Sequence, residues 1–250
     1  MNDTTLQDRV ALVTGASSGI GEATALALAA RGARVAVAAR RRDRLEALSD
    51  RIRTAGGTAH VVVADFSDEV QAQRAVADAE AEFGRLDILV NNAGVMYLEP
   101  VESADLSRWR HMLELNLLGL IAATQAALPG MRRRRDGHIV NVSSTAGRLA
   151  MANGAAYVAT KFGVVGFSES LRKEVYADNL RVSVIEPGVV ETELRHHIAH
   201  EATQRALNAW AGSMRQLRSE DVANAIVFCV SQPDHVNINE ILMRPTDQER

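Results

Sequence analysis

Short apolar, β-branched runs alternate with longer Ala-, Leu- and Arg-rich segments of helical period along almost the whole chain. The strand-like runs cover residues 10–13, 35–38, 60–63, 86–90, 138–142, 182–185 and 238–242. Most are continuously apolar, as strands buried on both faces of a parallel sheet must be. Helical patterns fill 19–31, 42–54, 69–83, 106–131, 155–176 and 219–230. Strict alternation predicts a doubly wound α/β fold, with right-handed crossovers placing helices on both faces of a parallel sheet. No linker, repeat or low-complexity stretch interrupts residues 1–250, so a single domain is expected. Only residues 191–218 break the alternation, with a helical pattern rich in His, Arg and Ala. An insertion there would lie above the carboxyl edge of the sheet and reads as a lid or substrate-binding arm.

Composition narrows the function classes. The chain is 47 % hydrophobic and 24 % charged, enough to bury a large core without cross-links. A net charge of −3 offers no strong field to nucleic acid or anionic membrane, so neither is expected as a partner. The basic run Arg132–Arg135 reads as a solvated helix end, where cations complement the dipole. No run of 18 apolar residues occurs, and the N-terminus is polar, which predicts neither a membrane span nor a secretion signal. The lone Cys229 cannot form an internal disulfide, so a reducing, cytoplasmic setting is expected.

The first strand runs directly into Thr14-Gly15-Ala16-Ser17-Ser18-Gly19-Ile20-Gly21 and then a helix. This strand–turn–helix context suits a dinucleotide site. Gly15 permits the tight turn, Gly19 lets backbone approach a pyrophosphate, and Gly21 allows close helix–strand packing. The helix N-terminus offers unpaired N–H groups to phosphate, and Ser17 and Ser18 can add hydroxyls. After the second strand stand Ala38-Ala39-Arg40-Arg41-Arg42. An acidic residue here would accept a ribose 2′-hydroxyl, whereas arginine accommodates a 2′-phosphate. Arg40 therefore points to NADP(H) over NAD, while Arg41 and Arg42 could instead solvate the next helix. Asp65, ending the third strand, is a candidate acceptor for an adenine amino group, with helix capping left to Ser67 or Asp68.

Of 28 basic residues only Lys161 and Lys173 are lysines. Tyr157 and Lys161 share a helix face at i, i+4. A nearby ammonium favours phenolate, as would an oxidised nicotinamide. Bringing a phenol from pKa 10 to about 7 takes roughly 4 kcal/mol of such stabilisation. That tyrosine could exchange a proton with an alcohol or carbonyl oxygen. Ser144, at the end of the fifth strand, could steady the same oxygen. Asn91-Asn92-Ala93-Gly94 ends the fourth strand at the same edge. Asn116 lies mid-helix, where it could hold a bulged turn and a water or be a satisfied core amide.

Taken together, Thr14-Gly15-x-x-x-Gly19-x-Gly21, Asn91–Gly94, Asn116, Ser144, Tyr157-x-x-x-Lys161 and Pro187-Gly188 resemble the classical short-chain dehydrogenase/reductase family. The resemblance implies a Rossmann-type fold with a seven-stranded parallel sheet. It implies a tetrad of Asn116, Ser144, Tyr157 and Lys161: Tyr157 as acid/base, Ser144 as substrate-oxygen donor, Lys161 as ribose ligand and pKa modulator, Asn116 as holder of a relay water. It further implies that the Ile20 amide meets pyrophosphate. Asp65, Phe66, Asn91, Asn92, Ala93 and Gly94 would line the adenosine side, with Pro187, Gly188, Val190 and Thr192 near the carboxamide. Such enzymes are commonly homotetramers, or homodimers, joined through the long helices 106–131 and 155–176. The Ala39-Arg40 step, the 192–195 segment and the C-terminal tail are similar to an NADP-preferring branch containing clavulanate dehydrogenase and bacterial 3-hydroxy acid dehydrogenases. Phe66 departs from the small aliphatic residue usual there, and Ser18 from the basic residue some NADP-binding members carry.

His196 and His200 have zinc-compatible spacing, but no third ligand is evident, and no metal is expected. His196, His197 and His200 are read as arm, substrate-contact or surface residues. The expected activity is NADP(H)-dependent hydride exchange with a small carbonyl or alcohol compound. A catalytically silent nucleotide-binding or scaffold protein, or an NAD-linked dehydrogenase, stands as the alternative.

Overall fold

Successive side chains of each central strand feed two different cores. In β1 (Val10–Thr14), Val10 and Leu12 join one buried cluster while Ala11 and Val13 join the other. In β2 (Arg34–Ala39), Ala36 and Ala38 divide from Val35 and Val37 in the same way. Period-two alternation with both faces apolar leaves no face for water, so each face must be covered by helices.

The computed structural model describes residues 6–198 and 200–249. The remaining elements are α1 (Gly19–Ala30), α2 (Arg42–Thr54), β3 (Thr58–Val63), α3 (Glu69–Phe83), β4 (Ile88–Asn91), α4 (Leu106–Leu113), α5 (Gly119–Arg134), β5 (Gly137–Val142), α6 (Ala155–Val175), β6 (Leu180–Pro187), α7 (Glu201–Gly212), α8 (Ser219–Val230) and β7 (Glu240–Met243). All seven strands are parallel, in the order β3-β2-β1-β4-β5-β6-β7. Helices α1, α2 and α8 supply Leu28, Leu45, Ile52 and Ile226 to one core; α3 to α6 supply Val76, Met112, Ala123, Met131 and Leu171 to the other. Strand order reverses between β1 and β4, which opens a crevice beyond their carboxyl ends.

Two elements differ from expectation for identifiable reasons. Leu86 and Asp87 precede β4: buried Asp87 instead accepts the Val10 amide at 2.9 Å and pairs with Arg85. The expected helix 106–131 is two helices joined by a five-residue π turn, Glu114–Leu118, which carries Asn116 into the interior. Such a turn inserts one residue and re-aims its neighbours. The arm contains a 3-10 turn, Glu193–His197, and then α7, and a bridge between Val190 and Leu217 closes its base. The arginine run does end a helix: Arg132 pairs with Asp178, and Arg134 and Arg135 donate to the Leu86 and Ala177 carbonyls. The continuous run Leu106–Arg134 is long and apolar enough to cross a bilayer, but half of its most apolar window is buried inside the domain.

The π turn also brings backbone into contact. An ideal Cβ on Gly119 would lie 1.8 Å from the Phe66 carbonyl oxygen, so only glycine fits there. Gly119→Ala should therefore lower stability by about 2–3 kcal/mol, or roughly 5–10 °C in Tm. Gly212→Ala, where a Cβ meets open space, should leave Tm within about 2 °C. Thermal unfolding followed by circular dichroism checks both; an unchanged Gly119→Ala would refute the packing argument.

Candidate active site

The two loops at the switch point are tied together by one side chain. Thr14 Oγ1 accepts the amides of Asn92 and Ala93, each at 3.0 Å. The Asn92 amide returns hydrogen bonds to the carbonyls of Thr14 and Gly15, at 3.0 and 3.4 Å. This approach dictates the glycines. Gly15 and Gly19 lie at φ +65° and +57°, where side chains are strained. A Cβ on Gly21 would come within 2.4 Å of the Gly15 carbonyl and 2.6 Å of Asn92 Nδ2. Gly21 is thus a packing residue behind the crevice wall, while Gly15, Ser17, Ser18, Gly19 and Ile20 line the crevice itself. Ser18 is the N-cap residue of α1, yet its side chain makes no capping bond. The helix N-terminus is left facing the crevice as an anion site.

The arginines divide their work differently from expectation. Arg40 and Arg41 both line the crevice. Arg40 lies 3.7 Å from Asp65. Arg41, expected to be the less involved, grips the glycine turn: Nε and Nη2 donate to Ser17 Oγ at 3.1 and 2.9 Å, and Nη2 to Ser18 Oγ at 2.8 Å. The two serine hydroxyls therefore accept from Arg41. Asp65 accepts from the Ser67 amide and hydroxyl, and Asp68, not Ser67, caps α3 through Val70 and Gln71. Asp65 and Phe66 both reach the crevice; Phe66 is otherwise buried and its carbonyl seats Gly119.

Ser144, Tyr157 and Lys161 meet where β5 faces the first turns of α6. Tyr157 is 5 % exposed and lines the same cavity as Ser144, whose hydroxyl acts to lower the phenol. Lys161 is 7 % exposed, donates from Nζ to the Val142 carbonyl at 3.0 Å, and lies 5.7 Å from the Tyr157 ring centroid. Ser143 Oγ donates to the Lys161 carbonyl at 3.0 Å, locking α6 to β5. Burial pushes the Tyr157 phenol up to about 12, against the opposing Ser144 hydrogen bond, and pushes the Lys161 ammonium down to about 8. Lys161 alone therefore does not bring the phenol toward neutrality, and the second positive charge, expected from an oxidised nicotinamide, is needed as well. Asn116 stands behind the wall. Its Oδ1 accepts the Val95 amide and its Nδ2 donates to the Val95 carbonyl, both at 2.8 Å, with Thr160 at 3.3 Å. It holds the loop that follows Gly94, whose own Cβ position is 3.2 Å from Asn116 Oδ1.

The other wall comes from the end of β6 and the arm. Pro187, Gly188, Val190 and Thr192 all line the cavity, which has a volume of about 910 Å³. Thr192 presents its methyl 3.2 Å from the Cβ position of Gly19 and caps the 3-10 turn. Asn92, Ala93 and Gly94 line the opposite side. Beyond Tyr157 the surface is largely apolar, with Met96, Leu149, Met151, Leu207 and Trp210. Gln248, Trp210 and Glu193 carry no local motif. Gln248 Oε1 accepts the Val189 amide at 2.9 Å and fills the space a side chain on Gly188 would need. Arg148 bonds the buried Glu186 at 2.7 Å, fixing the loop after Ser144. Only the glycine at 188 could have hinted at a close neighbour. His200 caps α7 through Thr203, His197 lines the cavity, and His196 is exposed. Among the described residues, no three His, Cys, Asp or Glu side chains gather as metal ligands.

Comparison with known proteins agrees with this geometry. The sequence pattern of the short chain dehydrogenase family matches residues 9–203. An uncharacterized oxidoreductase of Staphylococcus saprophyticus is 34 % identical over 97 % of this chain and 98 % of its own length. Glycine betaine reductase of Emericella nidulans is 38 % identical over 97 % of this chain, which spans only 19 % of that larger protein. Among solved structures, serine dehydrogenase in a closed form with NADP+ superposes at TM-score 0.88, with 35 % identity and 96 % of each chain covered. A metagenomic short-chain oxidoreductase with NADP superposes at 0.83, with 34 % identity over 97 % of this chain and 99 % of its own. The sheet order, the glycine turn tied to Asn92 and the Ser144–Tyr157–Lys161 cluster thus belong to a member of the short-chain dehydrogenase family of oxidoreductases.

Proposed function

We propose that this chain exchanges hydride between NADP(H) and the carbonyl or alcohol carbon of a small molecule, with Tyr157 moving the proton. The observation that carries the reading is the gathering of Ser144, Tyr157 and Lys161 in one cavity that adjoins both the glycine turn and the arginines after β2. The cradle fits a dinucleotide phosphate: backbone too close for side chains, an uncapped helix N-terminus, and Arg40 and Arg41 beside it. No acidic residue stands at Ala38 or Ala39 to accept a ribose hydroxyl, which disfavours NAD. When bound, NADPH supplies the hydride and, once oxidised, a positive charge. Tyr157 gives its phenolic proton to the carbonyl oxygen during reduction and takes it back from the alcohol during oxidation. Ser144 donates to the same oxygen and orients it. Lys161 has donors beyond the one on Val142 and holds a ribose hydroxyl. Asn116 acts by fixing the Val95 loop, since its amide is occupied there.

The apolar wall around Met96, Leu149, Met151 and Trp210 suits a small or medium apolar ketone, aldehyde or hydroxy compound. Exposed Leu113, Leu118 and Phe162 lie on contacting helical segments, and exposed Leu242 lies on the edge strand β7. These patches support a homotetramer, or a homodimer. The buried, free Cys229 fits a reducing, cytoplasmic setting.

Three outcomes follow from these assignments. Tyr157→Phe should lower kcat by about 10²–10⁴-fold while NADPH still binds and the fold persists. Turnover near the wild-type value would refute the proton role, and equal loss of cofactor binding would make the residue structural. Lys161 carries its proton fully below its value of about 8 and loses it above. NADPH affinity, read by fluorescence, should therefore be level near pH 7 and fall progressively between pH 8 and 10. Lys161→Arg, charged throughout, should bind more weakly but without that slope; a flat wild-type profile would refute the ribose role. Finally, Phe162→Glu should shift the molecular mass measured by light scattering toward a smaller species, whereas a wild-type monomer would overturn the assembly.

A further inference from the structure

Glu193 opens the arm, one residue after the Thr192 that covers Gly19. Its carboxylate reaches across to the start of α2. Arg41 Nη1 donates to Glu193 Oε2 at 2.9 Å, and Arg44 Nη1 donates to Oε1 and Oε2 at 2.8 and 3.0 Å. The Arg44 and Arg41 guanidiniums hold this carboxyl at about 2, so it is an anion at any working pH. With Nε and Nη2 on Ser17 and Ser18, every nitrogen of Arg41 is engaged. A carboxylate thus sits on the same guanidinium that grips the glycine turn, at the place where the cofactor's adenosine end would arrive. A second anion there meets both competition for donors and like-charge repulsion.

We propose that Glu193 is a cofactor-discriminating residue: its carboxylate occupies the arginine site of a 2′-phosphate, and only a cofactor bearing that phosphate displaces it and frees the first turn of the arm. The inference rests on the NADP reading above. A phosphate dianion out-competes a single carboxylate for a planar guanidinium. A ribose hydroxyl does not, so a nucleotide lacking the phosphate leaves the latch closed. The ion pairs are partly solvated, with Glu193, Arg41 and Arg44 side chains each about two-fifths exposed. They are weak enough to be exchanged for a dianion. Arg40 remains beside them, more exposed and 3.7 Å from Asp65, as a second phosphate ligand. Displacement carries the bias to the arm, because the turn bearing Glu193 leads directly into α7, whose Trp210 lines the same cavity. A ligand shifts such an equilibrium only by its differential affinity for the two states, and the 2′-phosphate supplies that difference.

The test uses adenosine 2′,5′-bisphosphate and adenosine 5′-monophosphate as probes on the full chain, by isothermal titration calorimetry. Glu193→Gln should bind the bisphosphate about three- to tenfold tighter than wild type, with the monophosphate unchanged within about twofold. Equal or weaker bisphosphate binding by Glu193→Gln would overturn the proposal, since Glu193 would then be neutral or a positioning partner of the arginines. A wild-type protein that does not distinguish the two nucleotides would instead overturn the NADP reading itself. A second readout uses Trp109→Phe, which leaves Trp210 as the sole tryptophan. Its emission should shift with the bisphosphate and not with the monophosphate. Adding Glu193→Gln should give the shifted spectrum without ligand. An emission that ignores both the phosphate and Glu193 would overturn the release of the arm.

Discussion

A single threonine hydroxyl ties together the two loops at the point where the sheet of this domain reverses. Thr14 Oγ1 accepts two successive amides from the loop after β4, and Asn92 answers with its own amide to the backbone of β1. Each such bond contributes only about 1 kcal/mol net. Their larger consequence is distance. They bring two backbone turns so close that side chains are excluded at Gly15 and Gly21. The result is a floor of bare backbone beside an uncapped helix N-terminus, a surface shaped for phosphate. The cofactor end of the cavity follows from this contact between the turn after β1 and the loop after β4.

The chemical end depends on a second junction, between β5 and α6. Ser143 Oγ bonds the Lys161 carbonyl, and Lys161 Nζ bonds the Val142 carbonyl. The helix that carries Tyr157 is therefore pinned at the strand that carries Ser144. Burial then shifts the two titratable groups in opposite directions, a phenol toward about 12 and an ammonium toward about 8. Both shifts favour the uncharged form, as desolvation must. A site in this condition keeps the proton on the phenol until positive charge arrives beside it.

The arm connects these two ends. It contributes Thr192 beside the glycine turn, Glu193 on the arginines, and Leu207 and Trp210 to the cavity that also holds Ser144, Tyr157 and Lys161. One segment thus touches both the arginines beside the glycine turn and the apolar wall of the cavity. Outside it, Gln248 fills the space left by Gly188, so the C-terminal tail completes the same wall.

Much of this was legible along the chain. Continuous apolar runs alternating with helical periods determine a parallel doubly wound sheet, because a strand apolar on both sides needs helices on both sides. The glycine spacing after β1 and the i, i+4 pair Tyr157 and Lys161 are local patterns, and local patterns survive translation into structure. The π turn at Asn116 was foreshadowed by an amide in the middle of a helix. Other features required the folded chain. That Arg41 rather than Arg40 grips the serines depends on the angle at which α2 leaves β2, which no local spacing encodes. Glu193 meets Arg44 across 149 positions and Gln248 meets Val189 across 59. The shifted proton affinities of Tyr157 and Lys161 come from burial, a property of packing. The sequence by itself determined which residues stand at the carboxyl edge of the sheet, because strand ends follow from hydrophobic periodicity. Only the tertiary structure decided which charges pair there and which groups lose their water, because both depend on distances between segments that the chain's linear order leaves free.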